Sequence, residues 1–281
     1  MELQGKTAVI TGGASGLGLA TAKQLAKAGV NLVLGDIEQG PLDEVVAEFK
    51  GNGVNVIGVN IDVRSADDVN RLRDESVKAF GTAHIIFNNA GVGGGPLLGT
   101  DKKMWDWVMD INVDGVVNGI NTFVPMFLDQ NEGHVINTGS LAGLGGVPGM
   151  GSYCASKFAV VGMTEVLFHE LAYTGKDVHA SLLCPGFVKT RIHESGRNLP
   201  KELASFAENP VAKAVQGIAA EAVNSGIDPS IIGELVEDAI VNNKFWILPH
   251  MRSAVRTTEQ RLQWMQGGDT PGIDLMKAAK N

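Results

Sequence analysis

The chain holds two tyrosines, Tyr153 and Tyr173, and only the first has a lysine four residues on, Lys157. Both fall at the start of a segment with helical periodicity, so the two side chains project from one face. A free phenol ionises near pH 10, too high for a base at neutral pH. A cation ~4 Å away contributes roughly 4 kcal/mol at an effective dielectric of about 20, which lowers the phenol by about 3 units. A second cation beside it would lower it further. A phenol tuned in this way accepts a proton from an alcohol as hydride leaves the alcohol carbon. The same spacing also describes an ordinary pair on a helix surface, so the pair alone does not assign a role.

A second group with chemical content lies near the N-terminus. Gly12, Gly16 and Gly18 are spaced as Thr-Gly-x-x-x-Gly-x-Gly. The apolar run Thr7–Thr11 before them reads as a buried strand, and Leu19–Ala28 after them as a helix stopped by Gly29. Asn31–Gly35 reads as the next strand, ending at Asp36. A helix N-terminus presents unpaired N–H groups and partial positive charge to a diphosphate, and glycines let the backbone come close to it. Asp36, 18 residues past Gly18, stands where an acid binds ribose hydroxyls. A carboxylate there repels a 2′-phosphate, so NAD is expected over NADP. No arginine or lysine lies at 12–18 or 35–40 to receive that phosphate. Methyltransferases that use S-adenosylmethionine share these features, so the turn does not name the chemistry. A P-loop is excluded: Gly5-Lys6-Thr7 has no room for the earlier glycine, and Gly175-Lys176 is followed by Asp177.

The elements that position these groups alternate along the chain. Pro41–Lys50 reads as a helix and Val54–Asn60 as a strand. Ser65 reads as the N-cap of a helix running to Phe80, with Asp67 and Asp68 in its first turn. His84–Asn88, His134–Thr138 and Val178–Cys184 read as strands. Met104–Phe127 is helical with one break, and Ser152–Tyr173 is a long helix. Strands separated by helices of this length imply an α/β fold, a single doubly wound parallel sheet of Rossmann type with helices on both faces. Beyond Pro185 the pattern loosens. Two or three helices are expected over Arg191–Asp228, with Pro200, Pro210 and Pro229 as breaks. Glu234–Asn242 reads as a helix, Phe245–Leu248 as a last strand, and an amphipathic helix with a polar tail follows His250. Residues 1–250 are expected to form one dinucleotide-binding and catalytic domain. Residues 251–281 form an extension packed on that domain or on a partner subunit.

Composition narrows the classes. Of the 281 residues, 36 are glycine without a three-residue period, 44% are apolar and 19% charged. This argues against collagen and against disorder. A net charge of −8 argues against nucleic acid as a partner. Two cysteines, Cys154 and Cys184, are too few for a disulfide framework, and neither a basic, apolar leader nor a run of 18 apolar residues is seen. A reduced, cytoplasmic, membrane-free protein is expected. The six histidines lack metal-ligand spacing, so no metal is expected. No Gly-x-Ser-x-Gly elbow points to a hydrolase.

Taken together, residues 3–192 resemble a short-chain dehydrogenase/reductase of the one-domain branch. The likeness rests on Thr11-Gly12-Gly13-Ala14-Ser15-Gly16-Leu17-Gly18, Asp36, Asp62-Val63, Asn88-Asn89-Ala90-Gly91, Asn112, Ser140, Tyr153-Cys154-Ala155-Ser156-Lys157 and Pro185-Gly186-Phe187-Val188-Lys189-Thr190. The resemblance implies Tyr153 as general acid/base, with Lys157 lowering its pKa and binding the nicotinamide ribose. It implies Ser140 on the substrate oxygen and Asn112 anchoring a water in a proton relay. It puts Ser15, Gly16, Leu17 and Gly18 at the diphosphate, and Asp62 and Val63 at the adenine. It puts Asn89, Ala90 and Gly91 along the cofactor, and Pro185, Gly186, Val188 and Thr190 at the nicotinamide. Read singly, Ser140 is also a plausible strand-end cap and Asn112 a mid-helix polar residue.

Specificity is expected in the loops Gly93–Leu97, Leu141–Met150 and Phe187–Asn209, which are glycine-rich and largely uncharged. They suit a bulky apolar or aromatic secondary alcohol or ketone, of hydroxysteroid or aryl alcohol type, better than a phosphate or coenzyme A tail. An NADPH-dependent ketoreductase and a non-catalytic dinucleotide sensor remain the alternatives. Arg191, His193 and Arg197 are read either as contacts at the pocket mouth or as solvated lid residues. Trp105 and Trp107 are read as interface anchors of a homo-oligomer, a dimer or tetramer, or as core.

Overall fold

The computed structural model describes residues 1–203, 217 and 220–269. Among them, strands β1 (Thr7–Thr11), β2 (Asn31–Asp36), β3 (Val56–Asn60), β4 (Ile85–Asn88), β5 (Gly133–Thr138), β6 (Val178–Leu183) and β7 (Trp246–Ile247) pair in parallel in the order β3-β2-β1-β4-β5-β6-β7. The helices are α1 (Gly16–Lys27), α2 (Gln39–Gly51), α3 (Ala66–Phe80), α4 (Lys102–Met109), α5 (Gly115–Gln130), α6 (Gly151–Thr174), α7 (Pro229–Asn242) and α8 (Met251–Met265).

Side chains alternate between the two faces of the sheet, as a pleated strand requires. Ile10, Leu32, Leu34 and Phe87 face one layer, where α1, α2 and α7 supply Leu25, Leu42 and Val236. Val9, Val33, Ile86 and Val135 face the other, where α3, α5 and α6 supply Leu72, Phe123 and Leu167. Burial on both faces explains why the strands read as continuous apolar runs. The strand order reverses between β1 and β4, and the crevice of an open α/β sheet lies at the carboxyl ends of such a pair.

One polar chain runs through this core. The Asn88 amide donates to the Asn137 carboxamide oxygen at 2.9 Å, the Asn137 amide donates to the Thr164 hydroxyl at 3.1 Å, and that hydroxyl donates to the Val160 carbonyl at 2.7 Å. It ties the ends of β4 and β5 to the middle of α6. Gly119 of α5 packs directly on the Asn88 carboxamide, with no room for a methyl group between them.

Two local expectations need correction, and a third takes a definite form. Helix α1 begins at Gly16, three residues before the expected Leu19; its first turn is held by close packing of Gly18 on the Gly12 carbonyl, which an apolar-periodicity reading does not register. Pro229 opens α7 rather than breaking it. Its missing N–H costs nothing at the first helical position, and Asp228 caps the turn by accepting from the Ser230 N–H at 2.9 Å. The break expected within 104–127 is a π-helical turn, Asp110–Asp114, which carries Asn112. Of the helices expected over Arg191–Asp228, the described part includes the short 3-10 turns Ile192–Asn198 and Lys201–Leu203; residues 204–216, 218–219 and the polar tail after 269 lie outside the described residues. Trp107 is core and Trp105 half-buried. No helix among the described residues is long and apolar enough to cross a membrane.

Gly119→Ala is expected to push Asn88 off Asn137 and to cost about 2 kcal/mol. A lowered urea midpoint at constant slope would show it, and an unchanged midpoint would mean that the asparagine yields freely.

Candidate active site

The turn after β1 is built by necessity from glycine. Gly12 has φ +63° and Gly16 φ +54°, a region that L side chains rarely enter. A methyl on Gly12 would sit 3.0 Å from the Ala90 Cα and from the Asn89 amide. Gly18 packs on the Gly12 carbonyl and lies beneath the turn rather than on the cavity. The Thr11 hydroxyl accepts from the N–H groups of Asn89 and Ala90 at 3.0 and 3.1 Å, and the Asn89 amide donates to the Thr11 carbonyl at 2.9 Å. These bonds lock the loops after β1 and β4 together across the reversal. Ser15 makes no side-chain cap on α1, which leaves its first-turn N–H groups without a side-chain acceptor where Ser15, Gly16 and Leu17 line the cavity. That is the donor set a diphosphate requires.

At one end of the cavity, Asp36 is buried. Its carboxylate accepts from the Ala14 N–H and the Glu38 N–H, each at 3.0 Å, one bond per oxygen. Burial raises its pKa, and these two backbone bonds oppose the rise. Each oxygen keeps capacity for a ribose hydroxyl. Asp62 lines the same end and is held bidentate by Arg64, with Nε and Nη2 at 2.9 and 2.6 Å from one oxygen and Nε at 3.0 Å from the other. Val63 is anchored by the Asn118 amide, which donates to its carbonyl at 2.8 Å. Across the mouth, Arg197 grips Glu38 through Nε and Nη2 at 3.0 and 2.8 Å. The guanidinium holds the Glu38 carboxyl below its usual range.

At the other end, Tyr153 and Lys157 lie one turn apart at the start of α6, facing the Ser140 loop. The Lys157 Nζ stands 5.6 Å from the centre of the Tyr153 ring and donates to the Thr138 carbonyl at 2.8 Å. Burial without a carboxylate pulls this lysine down to about 8. Burial pushes the Tyr153 hydroxyl up to about 12, and its hydrogen bond with Ser140 pulls the other way. The lowering of Tyr153 expected from a cation at ~4 Å is therefore reversed. The ammonium is drawn toward the β5 backbone, and burial dominates. Ser140 caps a short 3-10 turn, Leu141–Gly143, by accepting from the Ala142 N–H at 3.1 Å. Its hydroxyl thus serves both as a cap and as a group at the cavity.

Asn112 does not line the cavity. Its oxygen accepts from the Val92 N–H at 2.8 Å, and its amide donates to the Val92 carbonyl and the Ser156 hydroxyl, both at 3.0 Å. It fixes the backbone behind Gly91 against the helix of Tyr153. Pro185, Gly186, Val188 and Thr190 do line the cavity. Thr190 packs its methyl 3.3 Å from where a Cβ on Gly16 would stand, and the Gly186 N–H donates to the His250 Nδ1 at 3.0 Å.

One cavity of about 1740 Å³ joins both ends. Arg191, His193 and Arg197 line it, and Ser195 holds their segment by accepting from the Gly93 N–H at 3.0 Å. Reading by sequence spacing missed Arg64 at the Asp36 end and the α8 side chains at the Tyr153 end, and it placed Arg197 at the pocket mouth without its partner Glu38. Arg197 and Glu38 are 159 residues apart, and no local pattern reports such a pair. Among the described residues no cluster of metal-binding side chains occurs.

Comparison with known proteins agrees with this geometry. A family model described as short chain dehydrogenase matches residues 6–199. A 3beta-hydroxysteroid dehydrogenase 2 from Eggerthella lenta is 37% identical over 232 residues, 82% of this chain and 85% of that protein. A 3-oxoacyl-[acyl-carrier-protein] reductase FabG from Thermotoga maritima is 35% identical over 205 residues, 73% of this chain and 82% of that protein. A solved short-chain dehydrogenase/reductase from Burkholderia phymatum, in complex with NAD, superposes with a TM-score of 0.94 at 39% identity, covering 98% of this chain and 99% of that one.

Lys157→Met is expected to raise stability by about 2 kcal/mol at pH 7, because it removes a buried charge that has no carboxylate partner. The lysine's folded value of about 8 lies below its ordinary 10.5. Its contribution to stability is thus present above pH 10.5 and lost as pH falls through 8. Urea unfolding from pH 7 to 10.5 would show the gap between variant and wild type closing with rising pH. A constant gap would mean the lysine is not titrating in this range.

Proposed function

The chain belongs to the short-chain dehydrogenase family, and from that premise we propose an NAD-dependent oxidoreductase acting on a bulky secondary alcohol or the corresponding ketone. The observation that carries the reading is the meeting of Tyr153, Lys157 and Ser140 at one end of a cavity whose other end presents Asp36. The residues present fit a dinucleotide: an uncapped helix N-terminus behind glycines with positive φ, and a buried carboxylate with one free position on each oxygen.

When bound, an oxidised nicotinamide would supply a positive charge beside the phenol and an acceptor for the hydride that leaves the carbinol carbon. The Ser140 hydroxyl orients the substrate oxygen. In oxidation the Tyr153 phenolate, stabilised by Lys157, takes the alcohol proton as the carbonyl forms; in reduction the neutral phenol gives the proton to the carbonyl oxygen and becomes that phenolate. Lys157 also holds the ribose on that side. Asn112 acts on this site through Val92 and Ser156, and a relay water would lie on its main chain rather than on its occupied carboxamide. Asp36 binds the adenosine ribose and disfavours a 2′-phosphate. The two arginines that reach this end, Arg64 and Arg197, are already paired with Asp62 and Glu38, which supports NAD over NADP.

Tyr153→Phe is expected to lower kcat by ~10²–10⁴-fold while NADH still binds. In the wild type NADH should bind at least ~10-fold tighter than NADPH, the equivalent of about 1.4 kcal/mol. A panel of secondary alcohols and ketones read by reduced-cofactor absorbance, with fluorescence titration of both cofactors, checks this. Full turnover in the phenylalanine variant would overturn the role of Tyr153, and tighter NADPH binding that of Asp36.

A further inference from the structure

The chain has eight arginines. Five of them, Arg64, Arg71, Arg73, Arg191 and Arg197, are each in an ion pair with a carboxylate. The other three, Arg252, Arg256 and Arg261, all lie on α8, all line the cavity, and form no ion pair among the described residues. All three are exposed along that wall, and in a chain of net charge −8 they gather positive charge on one side of the cavity. The one acid of α8, Glu259, does not line the cavity.

The placement of α8 identifies which end of the cavity they serve. Its start is held where His250 accepts from the Gly186 N–H, its buried Ala254 seats it on the protein, and Thr257 packs beside Gly145 in the loop that carries Ser140. Arg261 stacks over Phe158, the residue after Lys157, with its guanidinium carbon 4.9 Å from the ring centre. This is the substrate side. The carboxylates of the cavity, Asp36, Glu38 and Asp62, are all at the adenosine end, and the diphosphate of a dinucleotide would lie over the Gly12–Gly18 turn. The Ser140 loop and the segment after β6 contribute the apolar lining residues Leu141, Val147, Pro148, Met150 and Phe187 to this cavity, and α8 adds Ser253, Thr257 and Gln260 beside its arginines. Arg252 and Arg256 are one turn apart, about 6 Å along the helix axis, and a guanidinium fork matches the oxygens of a carboxylate or phosphate.

We propose that the substrate is amphipathic: an apolar body, the reacting secondary alcohol or ketone at Ser140, and an anionic oxygen group, carboxylate or phosphate monoester, at the remote end, received by Arg252, Arg256 and Arg261. This deepens the dehydrogenase reading of the same site and rests on it. It also changes the expectation of an uncharged pocket, since the apolar loops form the wall and the charge is on the helix opposite.

The test compares a hydroxydodecanoate, its methyl ester and the matching hydroxyalkyl phosphate as substrates with NAD. The acid or the phosphate should exceed the ester ~10-fold in kcat/KM, with the better of the two naming the group, and the preference should shrink as salt is raised. In the triple variant R252Q/R256Q/R261Q the ratio of anion to ester should fall toward one, and Arg256→Lys should retain part of it. An equal rate for all three probes, or a ratio that survives the triple variant, overturns the proposal. Binding separates this from the catalytic reading. Dodecanoate and dodecanol are titrated against the enzyme–NADH complex by nicotinamide fluorescence. Tighter binding of dodecanoate that is lost in the triple variant upholds the arginine site even if no alcohol is turned over, and equal binding of the two overturns it.

Discussion

The buried chain from Asn88 through Asn137 to Thr164 is the interaction on which the rest of the site depends. Parallel strands deliver all their carboxyl ends to one edge of a sheet, but pleating alone does not fix their relative height there. Amide groups 2.9 and 3.1 Å from their partners do. They set β4, which leads into Asn89–Gly91, against β5, which ends just before Ser140, and set both against the helix of Tyr153 and Lys157. A buried polar chain of this kind stabilises only in one register, because any slip leaves its members desolvated and unpaired. Three loops remote in sequence are thus held in one frame before any of them meets a ligand.

Within that frame, burial drives Tyr153 and Lys157 toward their neutral forms, the tyrosine up and the lysine down. The estimate from sequence took the two groups as a close pair at an effective dielectric of about 20. The lysine instead lies 5.6 Å from the ring centre, on a main-chain carbonyl. It is a cation kept in reserve close to the phenol rather than in contact with it. An ion pair in the resting protein would already have used the charge that the phenolate needs during turnover. A carboxylate beside Lys157 would have stabilised the fold and weakened the chemistry, the familiar opposition of stability and activity at such sites.

Most of the architecture was legible because its signals are local. The apolar runs of the strands, the glycine turn before α1 and the Ser65 cap, which accepts from the Asp68 N–H at 3.2 Å, are each set within a few residues. The misreadings were also local in origin: Pro229 marks a helix start or a break with equal ease, and a π-turn has no composition of its own. What could not be read was set by distance through space. Arg197 reaches Glu38 only because the segment after β6 folds back over the β2 loop. The arginines of α8 acquire meaning only when their helix is laid against the Ser140 loop. In sequence they look like the solvated face of any amphipathic helix. The site was therefore legible where a motif is contiguous, and illegible where the fold recruits a residue from another layer.

Helix α8 follows the last strand and touches the catalytic elements at few points: His250 on Gly186, Thr257 beside Gly145 and Arg261 over Phe158. None of these belongs to the buried amide chain or to the pairing of the sheet. The helix is in that respect an exchangeable cassette. Its cavity-facing side chains can drift under selection without disturbing the register of the strands, whereas the same freedom is denied to Asn88 or Gly119. Lineages built on this framework can accordingly diversify what they accept far faster than how they fold, and the C-terminal helix is where that divergence should accumulate.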